Sequence, residues 1–369
     1  MSTLTKGYYI IPIFVPHYGC PHDCVFCNQK RITGLSTDVT EEYVYTTIIE
    51  HLKTFPEENI TVEVAFYGGS FTGIDRDIQR KLLSVPLKFK EEGRIQGIRL
   101  STRPDYIDHE ILNLLKEYKV DTIELGVQSL NDDVLVKSGR GHNSQQVYMA
   151  SKLIKEYGFN LGLQMMLGLV GDSREKSLYT AKEFVKLDPY CVRIYPTLVI
   201  KDTFLEKMYR RNIYKPLSLE EAVDITTDIL MLFQYNDIDV IRVGLQPTEN
   251  ITLGRDVIAG PFHPSFRQLV ESNIMKIILK ECLDEIHKDY IKDSLIIEVN
   301  GRNISYISGQ KSSNIDYLKN TYGFKRIKIY SNNEMPPNII KITLRNYEKT
   351  IDKKSAIKKH LWRLKLIEG

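Results

Sequence analysis

Six short runs of β-branched and aromatic residues, alternating with stretches of helical spacing, restrict this chain to a narrow choice of folds. The strand-like runs are Tyr8 to Val15, Thr61 to Tyr67, Ile95 to Leu100, Thr122 to Val127, Phe159 to Met166 and Cys191 to Tyr195. Between most of them apolar residues recur at helical intervals, over Glu41 to Lys53, Asp77 to Leu83, Asp108 to Tyr118, Ser144 to Tyr157 and Ser173 to Leu187. Thr40, Asp108 and Ser173 stand as N-caps before acidic first turns. Strands joined by helices pair in parallel, so the expected fold is α/β: β-α units in a parallel sheet, lying open or curled into a partial (β/α)6 barrel. In either form the C-terminal ends of the strands make the site face.

A helical stretch at Ser218 to Tyr235 and a strand-like run at Val240 to Leu245 follow, placed to close or brace the barrel. The segment Ala259 to Phe266, rich in Gly, Pro and aromatics, precedes a helical stretch from Phe266 to His287. Beyond it come a strand (Leu295 to Val299), a short helix (Asn303 to Ile307), a polar turn, a helix (Asn314 to Tyr322) and a strand (Lys325 to Tyr330). The expected organisation is a barrel over 1–250, a connecting helical segment over 251–288, a small α/β domain over 289–340 and a basic tail over 341–369. A length of 369 residues suits one barrel-sized domain with something smaller attached.

The chain has five cysteines, and three of them, Cys20, Cys24 and Cys27, fall within eight residues directly after the first strand. Three thiolates spaced C-x3-C-x2-C on a short loop can wrap one face of a metal site. A structural zinc takes four protein ligands, so His17 or His22 would have to complete it. A four-iron cluster can be held by three cysteines, which leaves one iron open to a small molecule. A redox disulfide is a third reading, opposed by a reducing cytosol and the lack of a thioredoxin-like context. Cys191 and Cys282 lack metal spacing and read as small core residues.

The spacing, with Phe26 immediately before the third cysteine, resembles the signature of the radical S-adenosylmethionine (SAM) superfamily. The resemblance implies that Cys20, Cys24 and Cys27 ligate a [4Fe-4S] cluster whose open iron binds SAM. It implies reductive cleavage of SAM to methionine and a 5′-deoxyadenosyl radical, with a reductant such as flavodoxin or ferredoxin as partner. Tyr67-Gly68-Gly69-Ser70 stands at the second strand end, where the superfamily has a GGE-type motif whose backbone contacts SAM; here Ser70 replaces the Glu. A residue without Cβ lets backbone come close to a ligand there. Ser101 to Tyr106, Glu124 to Ser129 and Arg140-Gly141-His142 resemble the branch that contains the elongator catalytic subunit and the oxygen-independent coproporphyrinogen oxidases. On that basis Phe26, Gly68, Gly69, Ser70, Ser101, Gln128, Arg140 and Gln164 are the candidate SAM-site residues. Gln128 and Gln164 read equally well as satisfied interior amides, and Arg140 as a helix-flanking charge. Arg193 to Thr203 resembles the elongator-type sequence at the same place, which would put Arg193, Tyr195 and Lys201 on the far side of the cavity toward substrate; a structural role for them is the other reading.

Elongator-type proteins have a wider cysteine spacing and a C-terminal acetyltransferase domain, for which residues 289–369 are too few. The expected function is radical SAM modification of RNA, at a tRNA base, without that domain. Alternatives are a radical SAM enzyme on a small molecule or tetrapyrrole, and a non-catalytic iron–sulfur or heme carrier. The C-terminal region bears on the choice. Gly309-Gln310-Lys311-Ser312 between two helices resembles the GxxG loop of a KH domain, with Ser312 in place of the second glycine; the other reading is a lid with a polar turn. A net charge of +3 is too near neutral to argue for nucleic acid by itself. Residues 341–369, however, hold nine Lys/Arg against three Asp/Glu, leaving 41 against 44 before them. In this tail Ile357, Leu361 and Leu364 recur at helical spacing, with Lys354, Lys358, Lys359, Arg363 and Lys365 beside them and Trp362 interleaved. Such a helix would present cations to phosphates, or would only be a solvated face. With no run of 18 apolar residues and no signal-peptide order at the start, a soluble cytoplasmic protein is expected.

Overall fold

The computed structural model describes residues 7–15, 24–28, 39–56, 58–245, 251–286, 294–345 and 347–368. They fall into two units, residues 1–216 with 245–262, and residues 217–244 with 263–369.

The first unit contributes six parallel strands to a curled sheet, in the order β1 (Tyr8–Val15), β2 (Thr61–Gly68), β3 (Gly97–Thr102), β4 (Thr122–Gln128), β5 (Asn160–Leu167) and β6 (Cys191–Pro196). Between the strands run α1 (Glu41–Leu52), α2 (Arg76–Glu91), α3 (His109–Glu117), α4 (Asp132–Lys137), α5 (Ser144–Glu156) and α6 (Arg174–Leu187). The result is a half-barrel of β-α units, as the alternation predicts. Ile11, Ile13, Val64, Phe66, Ile98, Leu100, Ile123, Leu125, Leu163 and Ile194 are buried, in β1 to β4 as pairs two residues apart, so they place one face of the sheet in the apolar core. Thr40, Asp108 and Ser173 each accept a backbone N–H at a helix start, and Asp75, Asn131 and Asn143 do the same. The helix expected over Asp77 to Leu83 continues to Glu91 through a buried Pro86. A proline there forfeits one ladder bond, which the burial of Leu82, Leu83, Val85 and Phe89 outweighs.

After β6 come β7 (Val199–Ile200) and α7 (Phe204–Arg210), then, in the second unit, α8 (Leu219–Tyr235) and β8 (Asp239–Val243). The chain returns to the first unit as β9 (Val257–Ala259), antiparallel to β7. The rest of the second unit holds α9 (Phe266–Asp284), β10 (Ser294–Val299), α10 (Ile304–Ser308), α11 (Ser313–Tyr322), β11 (Arg326–Ser331), β12 (Ile339–Leu344), β13 (Tyr347–Asp352) and α12 (Lys353–Arg363). Its sheet order is β11-β10-β12-β13, with β10 parallel to β11 and antiparallel to β12. The stretch read as a basic tail is therefore a β-hairpin followed by a helix. Ile340, Ile342 and Leu344 are buried at every second position, a strand period that the charge count had hidden. No helix among the described residues is long and apolar enough to cross a membrane.

Candidate active site

Of the clustered cysteines, Cys20 lies outside the described residues, as do His17 and His22. Cys24 is buried and Cys27 half-buried, and Cys27 N donates to Cys24 O at 2.9 Å, closing a tight turn. Two backbone bonds hold this turn. Val25 N donates to Ser138 O at 3.1 Å, and Leu205 N, in α7, donates to Val25 O at 2.6 Å. Phe26 packs with Val25 against an apolar cluster built on Val199, Leu205 and Tyr214.

At the end of β2, Gly68 has φ +109°, and a Cβ there would lie 2.4 Å from Val15 O. The close backbone approach that requires glycine is thus to β1. Gly69 N also donates to Val15 O, at 3.2 Å. Ser70 is buried and opens a short 3-10 turn over Phe71–Gly73 without using its side chain as a cap. Ser101 is half-buried one residue before Thr102, whose hydroxyl meets that of Thr72 at 2.5 Å.

Four of the expected residues come together. Arg140 NH1 donates to Cys24 Sγ at 3.2 Å, and its NH2 donates to Gly126 O at 2.5 Å. A bulge between Gly126 and Gln128 puts Gln128 at φ +69°. Its side chain then lies over Gly126, where a Cβ would come within 3.2 Å of Gln128 Nε2 and 3.4 Å of Arg140 NH2. Gln164 Nε2 donates to Gln128 Oε1 at 3.5 Å, so Gln164 and Gln128 form one bonded pair beside Gly126, and Arg140, bonded to Gly126 O and Cys24 Sγ, reaches the same place from the other side. Beside it His142 Nε2 donates to Val127 O at 3.2 Å, while its Nδ1 is buried with no partner among the described residues. Burial first, then the Arg140 and Arg103 guanidiniums, push His142 down to about 3, so the ring is neutral and Nδ1 is an acceptor.

Below this level lies a buried network that the sequence reading missed. Arg99, 1% exposed, donates to Glu63, to Glu124 at 2.9 Å and to the Tyr8 hydroxyl at 2.7 Å. Arg193 donates to Glu124 Oε2 at 2.5 Å and to the Tyr67 hydroxyl. Arg193 is therefore committed to Glu124 and Tyr67, where the resemblance had made it a substrate-side candidate. Tyr195 is half-buried, and Lys201 is exposed next to the β7–β9 pair.

In the second unit, Gly309 (φ +73°), Lys311 (+53°) and Ser312 (+64°) form a turn of left-handed residues before α11, with Lys311 exposed. The cations of α12 are largely met by acids: Lys353 by Glu271, Lys354 by Asp237, Lys359 by Glu285, and Arg363 by Glu281 and Glu285. His360 bridges Asp228 and Glu281. Ile357 and Leu361 are buried, but Leu364 is exposed and Leu366 takes the inner place. Helix α12 is bound into its own unit by charge as well as by apolar contact.

A curled parallel sheet with a cysteine loop pinned at its strand ends defines an α/β half-barrel enzyme scaffold. Residues 14–183 match the family described as the radical SAM superfamily, and residues 189–276 match the radical SAM C-terminal domain. The chain belongs to the radical SAM superfamily and is an enzyme of that class. An uncharacterized protein of Methanocaldococcus jannaschii is 29% identical over 58% of this chain and 68% of its own length. The tRNA uridine(34) acetyltransferase of Methanocaldococcus infernus is 26% identical over 60% of this chain and 48% of its own, so the chain spans about half of that relative. A solved structure of Elp3 from M. infernus superposes with a TM-score of 0.58 at 19% identity, covering 95% of this chain and 76% of that one.

The superfamily implies a [4Fe-4S] cluster and SAM. The residues present fit an anionic, sulfur-bound group: a soft-donor turn is joined to a guanidinium whose Nε is buried with no partner among the described residues.

Proposed function

We propose that Cys20, Cys24 and Cys27 hold a [4Fe-4S] cluster, and that the strand ends bind SAM for radical modification of RNA at a tRNA base. The observation that carries this reading is the Arg140 to Cys24 contact, which ties the cysteine turn to the end of β4 at Gly126, where Gln128 and Gln164 meet. When bound and reduced by a flavodoxin or ferredoxin, the cluster supplies the electron that splits SAM into methionine and a 5′-deoxyadenosyl radical. The protein's own residues hold and shield. The backbone bonds of Val25 fix the turn between two cysteines, and the apolar packing of Phe26 keeps water from that side. Gln128, Gln164, Ser101 and the remaining N–H groups of Arg140 offer polar contacts to SAM, with Gly68, Gly69 and Ser70 lining the adjacent strand end. His142 Nδ1 adds a neutral acceptor.

RNA as substrate is supported by relatives named for tRNA uridine modification. Because most α12 cations are met by acids, the C-terminal contact with RNA belongs to the Lys311 turn in preference to that helix. The test is anaerobic reconstitution with iron and sulfide, followed by SAM and dithionite. Release of 5′-deoxyadenosine is expected, and its absence would favour the carrier reading. Nucleoside mass spectrometry of tRNA from cells with and without the gene should show one changed base. Identical profiles would direct the search to a small molecule or tetrapyrrole.

A further inference from the structure

Arg140 is 6% exposed, and no carboxylate among the described residues pairs with it. A guanidinium that far from water is best matched by an acceptor that carries negative charge. Among the described residues its hydrogen-bond acceptors are Cys24 Sγ and the Gly126 carbonyl, and of these two the sulfur is the one that bears negative charge when it ligates a cluster.

The placement is fixed from three sides. Arg140 N donates to Leu135 O at 3.0 Å, closing the end of α4, which sets where the side chain starts. Two residues earlier, Ser138 O accepts from Val25 N, so the turn that carries the guanidinium also holds the residue following Cys24. At the far end the bare Gly126 leaves room for NH2 to reach its carbonyl. Arg140 and Cys24 lie 116 residues apart in sequence, which makes their pairing a property of the fold.

We propose that Arg140 is a positioning residue for the cluster: its N–H···Sγ bond holds the Cys24 thiolate and makes the cluster easier to reduce. This rests on the reading above that Cys24 is a cluster ligand. The physical reason is that reduction adds one electron to the cluster, supplied by the external reductant. A fixed positive donor on a ligand sulfur stabilises that more negative state over the oxidised one.

The experiment compares wild type, Arg140→Gln and Arg140→Lys after anaerobic reconstitution and without SAM. It reads iron and sulfide content, the electron paramagnetic resonance of the reduced cluster, its potentiometric titration and the rate of iron loss to a chelator. At a poise that half-reduces the wild type, Arg140→Gln should show a reduced-to-oxidised ratio about tenfold lower, equal to about 59 mV for a one-electron couple. It should also lose iron faster. Arg140→Lys keeps the charge but not the planar fork and should fall between. The same ratio and the same iron loss in all three proteins would overturn the proposal. If wild type takes up no cluster, the functional reading itself fails; if it takes up a cluster indifferent to residue 140, only the present inference fails. Should Arg140→Gln not fold, judged by circular dichroism, Arg140→Lys carries the comparison under the same criteria.

Discussion

Glu124 and Arg193 meet inside the parallel sheet through both carboxylate oxygens, Nε to Oε2 at 2.5 Å and NH2 to Oε1 at 3.1 Å. Arg99 shares Oε1 at 2.9 Å and passes the charge on to Glu63. Two acids and two guanidiniums cancel, and the Tyr8 and Tyr67 hydroxyls take further donors. Tyr67 also lies under the Arg193 guanidinium at 4.8 Å and precedes Gly68, so the network connects directly to the strand-end site. A filled, neutral, fully bonded layer of this kind holds the strands in register beneath that site.

Glu124→Gln should therefore destabilise the protein, by about 3–5 kcal/mol as for a broken buried pair. Burial pushes the Glu124 carboxyl up, but Arg193 and Arg99 outweigh it and hold it below the usual carboxylate range. A depressed folded value gives stability that is present above the ordinary value of about 4.3 and lost as pH falls through the folded one. Urea midpoints should drop below about pH 4 in wild type, while the variant should start lower at pH 7 and lose less in acid. Equal midpoints at pH 7 would show that the network adds no stability.

Gly162→Ala tests the same layer sterically. A Cβ at Gly162 would lie 2.7 Å from Glu124 Cγ and 3.3 Å from Cys191 Sγ. Overpacking of this kind costs about 1–3 kcal/mol. The double variant Gly162→Ala with Glu124→Ala removes the clash, so its denaturation midpoint should fall less than the two single losses added. Strict additivity would mean that the two side chains do not compete for this space.

The β-α order, the six strands and three of the helix caps were legible because each rests on local period and chemistry, such as Thr40, Asp108 and Ser173 ahead of acidic turns. The cysteine loop was legible as spacing, but its link to Arg140 was not, since a contact across 116 residues leaves no local trace. The buried network did leave one. Glu63, Arg99, Glu124 and Arg193 are each the third residue of β2, β3, β4 and β6, lone charges of alternating sign in otherwise apolar strands. Read strand by strand they look like isolated exceptions; the register sets Arg99 opposite Ala65, Glu124 opposite Ser101 and Arg193 opposite Gln164, and it is the length of the side chains that brings the charges together. Pro86 within α2 and the positive φ of Gln128 were hidden because tertiary packing overrode local preference. In β12 the charge count of the surrounding segment drew attention away from the alternation of Ile340, Ile342 and Leu344 that was there to be read.

His360 makes the second unit sensitive to alkaline pH. Its Nδ1 lies 2.8 Å from Glu281 and its Nε2 3.1 Å from Asp228, with Arg363 also on Glu281 at 3.1 Å. Burial lowers the ring's proton affinity, but the two carboxylates outweigh it and raise His360 to about 9. For a raised folded value the stabilisation is complete below about 6.5 and lost as pH rises through about 9. The wild-type denaturation midpoint should fall between these limits relative to His360→Gln, which should be lower at pH 6 and nearly flat across the same range. Parallel curves would remove the His360 bridge as the source of any alkaline loss.

The five cysteines should separate cleanly by iron content. Cys20→Ser, Cys24→Ser and Cys27→Ser are each expected to leave reconstituted protein with iron and acid-labile sulfide at background, because each removes a thiolate from the loop. Cys191 sits in β6 beside Gly162 and the Glu124 carboxylate, and burial pushes its thiol up to about 12. Cys282 is buried on α9, and burial likewise raises it. A thiol that stays protonated at neutral pH in a packed interior is neither a nucleophile nor a metal ligand. Cys191→Ala and Cys282→Ala should thus keep the iron and sulfide of wild type, with only a modest loss of stability from the vacated volume. Loss of the cluster in Cys191→Ala, at unchanged fold by circular dichroism, would move the metal site from the strand ends into the sheet.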